Sequence, residues 1–170
     1  MSELLSPTIF TVKKKDVIRK ILGHLTGELE LYIRAARAAF AEATDEQSRS
    51  ESKYDTRGLE ASYLARGQAR QVAETEESIR LFKSLGARAL GANEPVVVGA
   101  LVELEGRGGR AFYLIGPRAG GTEVEVGGHE VLVLTPESPL GGQLMGHRAG
   151  DTLKIVIAGT RHNHTVVSVS

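Results

Sequence analysis

The sequence predicts an α+β fold, in which an N-terminal antiparallel coiled-coil hairpin of helices precedes a small antiparallel β domain with one short helix. Two observations support this class. Small and apolar residues recur at alternating steps of three and four between residues 18 and 82, which is the spacing of a coiled-coil seam. From residue 96 onward, short β-branched runs alternate with glycine-rich turns. The predicted domains are 1–90, with the hairpin tip near 45–55, and 91–170.

The two helical stretches mirror each other about Ser50. When seam positions are paired from the outside inward, the two residue numbers always sum to 100 or 101, as an antiparallel hairpin requires. The predicted seam consists of Ile18, Leu22, Leu25, Leu29, Tyr32, Ala36 and Ala39 in the first helix, and of Ala61, Ala65, Gln68, Val72, Thr75, Ile79 and Phe82 in the second.

The first helix is predicted from Asp16 to about Thr44, with the Asp16 carboxylate favoured at the positive end of the helix dipole. Gly23 and Gly27 inside it each cost up to ~1 kcal/mol relative to alanine, so packing rather than propensity is expected to hold the arm. A helix of this length rises roughly 45 Å. The seam is bulky near the open end and alanine-rich near the tip, which predicts a slender distal half.

The helical spacing of apolar residues ends after residue 85, and the pattern that follows is typical of strands. Gly86 suits a helix C-cap, and Gly91, Asn93 and Pro95 suit a linker. Ser138 and Pro139 suit the cap and first position of a short helix. Six strands are predicted, over Val96–Glu103, Arg110–Ile115, Thr122–Val126, Val131–Thr135, Leu153–Ala158 and Thr165–Val169.

The composition excludes several classes of function. Lysine plus arginine equals aspartate plus glutamate, at 21 each, so net charge gives no reason to expect nucleic-acid or membrane binding. The chain contains no cysteine, which removes disulfides and thiolate chemistry. No run approaches the ~18 consecutive apolar residues of a membrane helix, so a cytoplasmic protein without membrane association is expected.

Several motifs resemble the bacterial Gre transcript-cleavage factors. The segment V-V-V-G-A-L-V-E-L-E resembles the first strand of their C-terminal domain, and Ser138–Ile157 resembles their S-P helix, Gly-Asp turn and following strand. In the hairpin, Glu60–Ala69 resembles the second Gre helix. The resemblance implies an FKBP-like C-terminal domain that binds RNA polymerase, a coiled coil that enters the secondary channel, and tip carboxylates that assist cleavage of backtracked RNA near its 3′ end.

The tip departs from the family, whose members carry an Asp-Leu-x-Glu-Asn arrangement that is missing here. The carboxylates predicted to act are Asp45, Glu46, Glu51 and Asp55, one pair on each side of the fold point. No cofactor of the chain's own is expected. The carboxylates would instead share the Mg²⁺ of the polymerase active site, because carboxylate oxygens are ligands that Mg²⁺ accepts.

Three alternatives remain open at this point. The acidic and serine residues of the tip would also serve simply to form a soluble turn. The altered tip equally suits a non-cleaving channel regulator that inhibits or competes with Gre factors. A monomer is expected, although the long seam also suits a dimer-forming adaptor.

His162 and His164 are predicted to lie in a solvated turn. They are not expected to form a catalytic zinc site, because such a site needs three protein ligands.

Overall fold

Two long helices begin the structure. The computed structural model describes residues 11–45, 57–86, 90–91 and 93–170. Helix α1 spans Lys14–Thr44 and α2 spans Arg57–Leu85, with 31 and 29 residues. At ~1.5 Å per residue, each helix is roughly 45 Å long, as the sequence predicts. Within the described helices, no stretch combines the length and apolar character of a membrane span.

The ends of the helices follow local sequence signals. Asp16 lies in the first turn of α1, where its carboxylate accepts a hydrogen bond of 2.7 Å from the Arg19 guanidinium. Helix α2 ends at Leu85, and Gly86 follows with φ of 61°. Glycine adopts this left-handed conformation without the steric cost of a Cβ, so the predicted C-cap is confirmed.

The predicted seam is confirmed by burial. Each of its fourteen residues is buried or half-buried, and Leu25, Ala39, Ala61 and Phe82 are among the most protected. Residues of both helices also line one groove, which is bounded by Ala36, Arg37, Phe40, Ala65 and Ala69. The predicted partners Ala36 and Ala65 thus lie beside the same groove, and the exact register of the two helices stays a prediction.

The chain forms two compact units when residues are grouped by contact. One is the hairpin unit, Leu22–Ser84. The other consists of Leu85–Ser170 together with the chain up to Ile21. Grouping by contact does not test independent folding, so the domain limits of 1–90 and 91–170 stay a prediction.

A mixed sheet of six strands dominates the second unit. Its spatial order is β3-β4-β2-β1-β6-β5. Neighbouring strands pair antiparallel except β2 and β4, which run parallel from Phe112 opposite Val131 to Ile115 opposite Leu134. The strands span Leu101–Gly106 for β1, Gly109–Ile115 for β2, Glu123–Val126 for β3, His129–Leu134 for β4, Thr152–Ile157 for β5 and Thr160–Val169 for β6.

The α+β class is confirmed, while three details of the sheet differ from the prediction, one of them being that β6 begins at Thr160 rather than Thr165. The parallel pair was not predicted, and it arises because β3 returns along the sheet edge and β4 then runs again in the direction of β2. The first strand begins at Leu101 rather than Val96. The preceding residues form a turn, in which Ala100 donates its N–H to the Val97 carbonyl and Gly99 has φ of 92°.

The short helix α3, Pro139–Leu144, forms as predicted. The Ser138 hydroxyl oxygen accepts a hydrogen bond from the Gly141 N–H at 3.1 Å, which satisfies one of the free donors of the first turn. The same hydroxyl donates to the Thr135 carbonyl at 2.7 Å. This cap fixes α3 so that Leu144 is fully buried.

Both faces of the sheet are covered by apolar residues. One face carries the main core, which comprises Val96, Ala100, Val102, Leu104, Ile115, Leu134, Leu144, Leu153, Ile155, Val166 and Val169. Alternate residues of a strand point to opposite faces, so the buried Leu101 and Leu114 lie on the other face. Buried Val17 and Ile21 of α1 belong to the same unit. The start of α1 is therefore grouped with this unit and carries buried apolar side chains of its own.

Candidate functional site

The predicted tip lies beyond the last turn of α1. Asp45 directly follows Thr44, the end of the helix, and is exposed. The Thr44 hydroxyl donates to the Phe40 carbonyl at 2.9 Å and lies 3.3 Å from the Ala41 carbonyl, so this side chain folds back onto the last turn. Glu46, Glu51 and Asp55 lie outside the described residues, so the four-carboxylate site stays a prediction. The described residues contain no group of three or more histidine, aspartate or glutamate side chains suited to a metal.

The hairpin next to the tip has a seam of small residues. We call residues 31–45 and 57–70 the distal half. Ala39 and Ala61 are buried there, and Ala36 and Ala65 are half-buried. Small residues at the seam let the two helices approach closely. The small seam residues are protected from solvent in the distal half, and its slenderness stays a prediction.

Two of the six seam residues in the distal half, Tyr32 and Gln68, are not small, and Gln68 is also polar. Its Oε1 atom is buried and has no hydrogen-bond partner among the described residues. A buried polar atom without a partner costs roughly 1–3 kcal/mol. This position weakens the distal half further.

Large apolar side chains of the distal half point outward instead of into the seam. Their exposed fractions run from 53% to 65%, and they are Leu31, Phe40, Leu59, Tyr63 and Leu64. The sequence reasoning missed them as functional candidates. The sequence contained a signal for them, because none of these large apolar residues occupies a seam position although four of the six seam residues in the distal half are alanines.

One side of the distal half carries the groove bounded by Ala36, Arg37, Phe40, Ala65 and Ala69, which we call the distal groove. Its volume is about 310 Å³. Arg66 lies about one turn before Ala69 on α2 and does not line the groove. The Arg66 guanidinium carbon is 6.0 Å from the centre of the Tyr63 ring.

The charged side chains nearer the base of the hairpin are arranged differently. Arg70 donates to Glu74 at 2.8 Å, and Arg80 donates to Glu77 at 2.6 Å. These hydrogen bonds, and then the attraction of the carboxylate charges, raise the pKa of both arginines. By contrast, neither Arg37 nor Arg66 forms an ion pair with another described residue.

The β domain offers a smaller cleft at the start of β2 and β4, with a volume of about 250 Å³. Phe112 and His129 line it, with ring centres 4.9 Å apart. Tyr113 also lines it, and burial raises the pKa of its phenol. Arg110 at its edge is engaged by the Glu103 carboxylate at 2.7 Å. The exposed Glu130 carboxylate also lines the cleft, beside His129.

His162 and His164 lie within strand β6, so their predicted position in a turn is wrong. The turn between β5 and β6 consists of Ala158 and Gly159, which leaves both histidines in the paired part of the hairpin. Their rings are 6.4 Å apart, and His164 Nδ1 lies 3.3 Å from the His162 carbonyl. This local packing accounts for them without a metal.

A loop after α3 holds the segment that enters the sheet. The Val96 N–H donates to the His147 carbonyl at 2.7 Å, and the Gly146 N–H donates to the Val96 carbonyl at 2.9 Å. Asp151 closes the loop, because its carboxylate accepts the Arg148 N–H at 2.8 Å. That hydrogen bond, and then the one with His147, lowers the pKa of Asp151.

The element order, two long helices followed by a six-stranded sheet with one short helix, is the order that the Gre resemblance predicts. In this sense the fold is Gre-like. No protein-family model matches the sequence, and no curated protein matches it.

The solved structures that are similar to this chain include three of Gfh1 proteins. One is GreA factor homolog 1 (Gfh1) of Thermus thermophilus, at 24% identity and a TM-score of 0.38, with 88% of this chain and 94% of that chain covered. Another is Gfh1 of Thermus aquaticus, at 24% identity and a TM-score of 0.39, covering 86% and 92%. A third, described as the transcription factor Gfh1, has 22% identity and a TM-score of 0.39, covering 87% and 92%. Similarity at this level does not assign a function.

Proposed function

We propose that this protein is a Gre-like transcription factor that binds RNA polymerase and inserts its hairpin into the secondary channel. The chain acts as an accessory factor, and the nuclease belongs to the polymerase. Asp45, Glu46, Glu51 and Asp55 are delivered to the active centre, where they assist cleavage of backtracked RNA.

The observation that carries this proposal is the construction of the hairpin. A pair of helices roughly 45 Å long exceeds what a small domain needs for its own core. Its seam narrows to alanine toward the tip, which gives a slender end suited to a narrow hole. The Gre-like motif Ser138–Ile157 supports the same assignment, because its S-P helix and following strand form where the resemblance places them.

The proposed reaction requires the tip to supply only oxygen ligands for a metal ion. Hydrolysis of an RNA phosphodiester needs a metal-bound water aligned for attack, and a second Mg²⁺ can orient that water. Carboxylates from the two sides of a hairpin turn are hard oxygen ligands for such an ion. The polymerase supplies the resident Mg²⁺ and the RNA, and the factor supplies additional oxygen ligands.

The test is release of short 3′ RNA fragments from stalled, backtracked polymerase complexes. The full chain should accelerate release, and a variant with Asp45, Glu46, Glu51 and Asp55 all replaced by alanine should not. A matched control replaces four exposed carboxylates of the β domain by alanine, namely Glu123, Glu125, Glu130 and Glu137. Equal cleavage by the tip variant and by this control would refute the role of the tip.

A second candidate function is favoured by the divergent tip. Without the Asp-Leu-x-Glu-Asn arrangement, the same hairpin would occupy the channel and compete with Gre factors without promoting cleavage. Adding the protein to complexes that contain an authentic cleavage-stimulating factor separates the two functions. Slower cleavage, with none from the protein alone, would establish the regulator in place of the cleavage factor.

A further inference from the structure

The six-stranded sheet has two outer edges, formed by β3 on one side and by β5 on the other. An edge strand presents backbone N–H and C=O groups that can pair with a strand of another molecule. The β3 edge is protected by its own residues, because the strand is four residues long and its exposed side chains are Glu123 and Glu125. The β5 strand has six residues, and Val156 on it is 46% exposed. The β5 edge therefore needs another kind of protection.

The pairing of β5 with β6 determines which backbone groups face the open edge. Val166 donates its N–H to the Asp151 carbonyl at 2.8 Å, so these two residues form a hydrogen-bonded pair of the ladder. Bonded and non-bonded pairs alternate along an antiparallel ladder, and β5 pairs with β6 in one continuous register. The N–H and C=O groups that point away from β6 are therefore those of Thr152, Lys154 and Val156.

One of these outward N–H groups is bonded to a side chain of α3. Gln143 Oε1 accepts a hydrogen bond of 3.1 Å from the Val156 N–H. The Gln143 side-chain nitrogen donates at the same time to the Pro139 carbonyl of its own helix, at 2.9 Å. Gln143 is half-buried, and both ends of its amide group are engaged. The side chain is thus held as a bridge from α3 to the edge strand.

The position of this bridge affects pairing with a second copy of β5. In a two-fold antiparallel pair, the outward groups of one strand bond to the outward groups of the other. Two such registers overlap five of the six residues of the strand, one centred on Lys154 and one centred on Ile155, and both use the Val156 N–H as a donor. The register centred on Lys154 also places two lysines opposite each other, which is unfavourable. Gln143 therefore occupies the donor that the favourable register requires.

We propose that Gln143 keeps the chain a monomer by closing the edge of β5 to the β5 strand of a second copy. This role is independent of the proposed function. With the Val156 N–H occupied, the outward donors of Thr152 and Lys154 can meet each other across only three residues of the strand. Without Gln143, the Val156 N–H lacks its acceptor, and the Lys154 carbonyl of a second copy supplies one.

The experiment measures self-association of the full chain by sedimentation equilibrium, over a concentration series that reaches about 1 mM because a short strand pair buries little area. Gln143→Ala should self-associate at least tenfold more tightly than the unaltered chain. Gln143→Asn, whose amide is one methylene shorter, should do the same if it no longer reaches β5. Gln71→Ala is the matched control, because it makes the same substitution at an exposed position of α2 and should leave association unchanged. Gln143→Ala/Lys154→Pro should restore the monomer, since proline lacks the outward N–H and is tolerated on an edge strand.

Hydrogen exchange distinguishes closure of the edge from a purely structural role of Gln143 in bracing α3. In dilute Gln143→Ala, the Val156 amide should exchange roughly fivefold to tenfold faster than in the unaltered chain. At high concentration, the amides of Val156 and Lys154 should become protected, because both then bond to the second copy.

Two results would overturn the proposal. One is association of Gln143→Ala and Gln143→Asn that is no tighter than that of Gln71→Ala. The other is association that persists in Gln143→Ala/Lys154→Pro, since a surface other than the β5 edge would then be responsible. Circular dichroism of each variant shows whether it retains the fold, and Gln143→Asn replaces Gln143→Ala if the alanine variant does not.

Discussion

Gly141 is the position where a single methyl group should damage the β domain most. A Cβ built on Gly141 would overlap the Thr135 carbonyl oxygen and lie 2.7 Å from the Ser138 hydroxyl. Both atoms belong to the cap of α3, since Ser138 donates to Thr135 and accepts from Gly141. The Thr135 oxygen is part of the backbone, so the clash is relieved only by moving α3 or the turn before it.

The cost of Gly141→Ala follows from these contacts. Loss of an N-cap costs about 1 kcal/mol. Moving α3 also withdraws Leu144 from the core, where it is fully buried, and complete loss of a buried leucine costs roughly 2–5 kcal/mol. Partial withdrawal combined with the lost cap gives an expected destabilisation of about 2–4 kcal/mol.

Native-state hydrogen exchange of the β1 and β6 amides is the suitable assay, because it reports opening of this unit separately from opening of the hairpin. Gly142→Ala is the control, since its Cβ would lie 3.1 Å from the Pro136 carbonyl and alanine adds up to ~1 kcal/mol of helix propensity. We expect that control to change the opening free energy by less than about 1 kcal/mol. Equal protection in the two variants would refute the packing described for α3.

Two further predictions concern titration and the seam. The hydrogen bond from the Arg148 N–H, and then the one with His147, lower the pKa of Asp151 in the folded state. The ionised carboxylate therefore stabilises the fold at pH values above the ordinary aspartate pKa of about 3.9. This stabilisation is lost as the pH falls through the lower pKa of the folded state. Asp151→Asn should therefore destabilise the protein at pH 7, and its free energy of unfolding should fall less steeply below about pH 4 than that of the unaltered protein. Urea unfolding at a series of pH values measures this. Parallel curves of unfolding free energy against pH for the two proteins would contradict it. Gln68→Leu removes the unpartnered Oε1 atom from the seam and should raise the free energy of hairpin unfolding by about 1 kcal/mol. Unfolding followed by circular dichroism measures this. Destabilisation by the substitution would contradict the prediction and would indicate a hydrogen-bond partner for that oxygen.

The parts of the fold that are encoded locally could be predicted from the sequence. The seam follows from residue spacing alone, and α3 follows from Ser138 and Pro139, whose cap and backbone geometry are specific to a helix start. The start of β1 could not be predicted, because three consecutive valines favour a strand while a turn at Gly99 and hydrogen bonds to the loop at His147 decide the conformation. The parallel pairing of β2 with β4 depends on which strands meet in space, and local residue pattern does not determine that.

The candidate site shows the same division. The spacing of the seam predicts where the tip carboxylates lie along the chain, and Asp45 is found at the end of α1 as expected. The distal groove was not predicted, because the seam pattern concerns only residues that face the partner helix. Phe40 and Arg37 became recognisable once the structure showed which helix surface stays exposed beside Ala65 and Ala69.

The exposed apolar residues and the alanine seam have a common physical consequence. Burial of apolar area stabilises a helix pair in proportion to the area removed from water. The distal half buries alanines and leaves Phe40, Tyr63 and three leucines largely in solvent, so its own packing contributes little. Nearer the base, fully buried Phe82 and nearly buried Leu25 contribute much more. The distal half should therefore open at a lower free energy than the base of the hairpin, and amide exchange measured along both helices would test this, since equal protection of the two halves would contradict it.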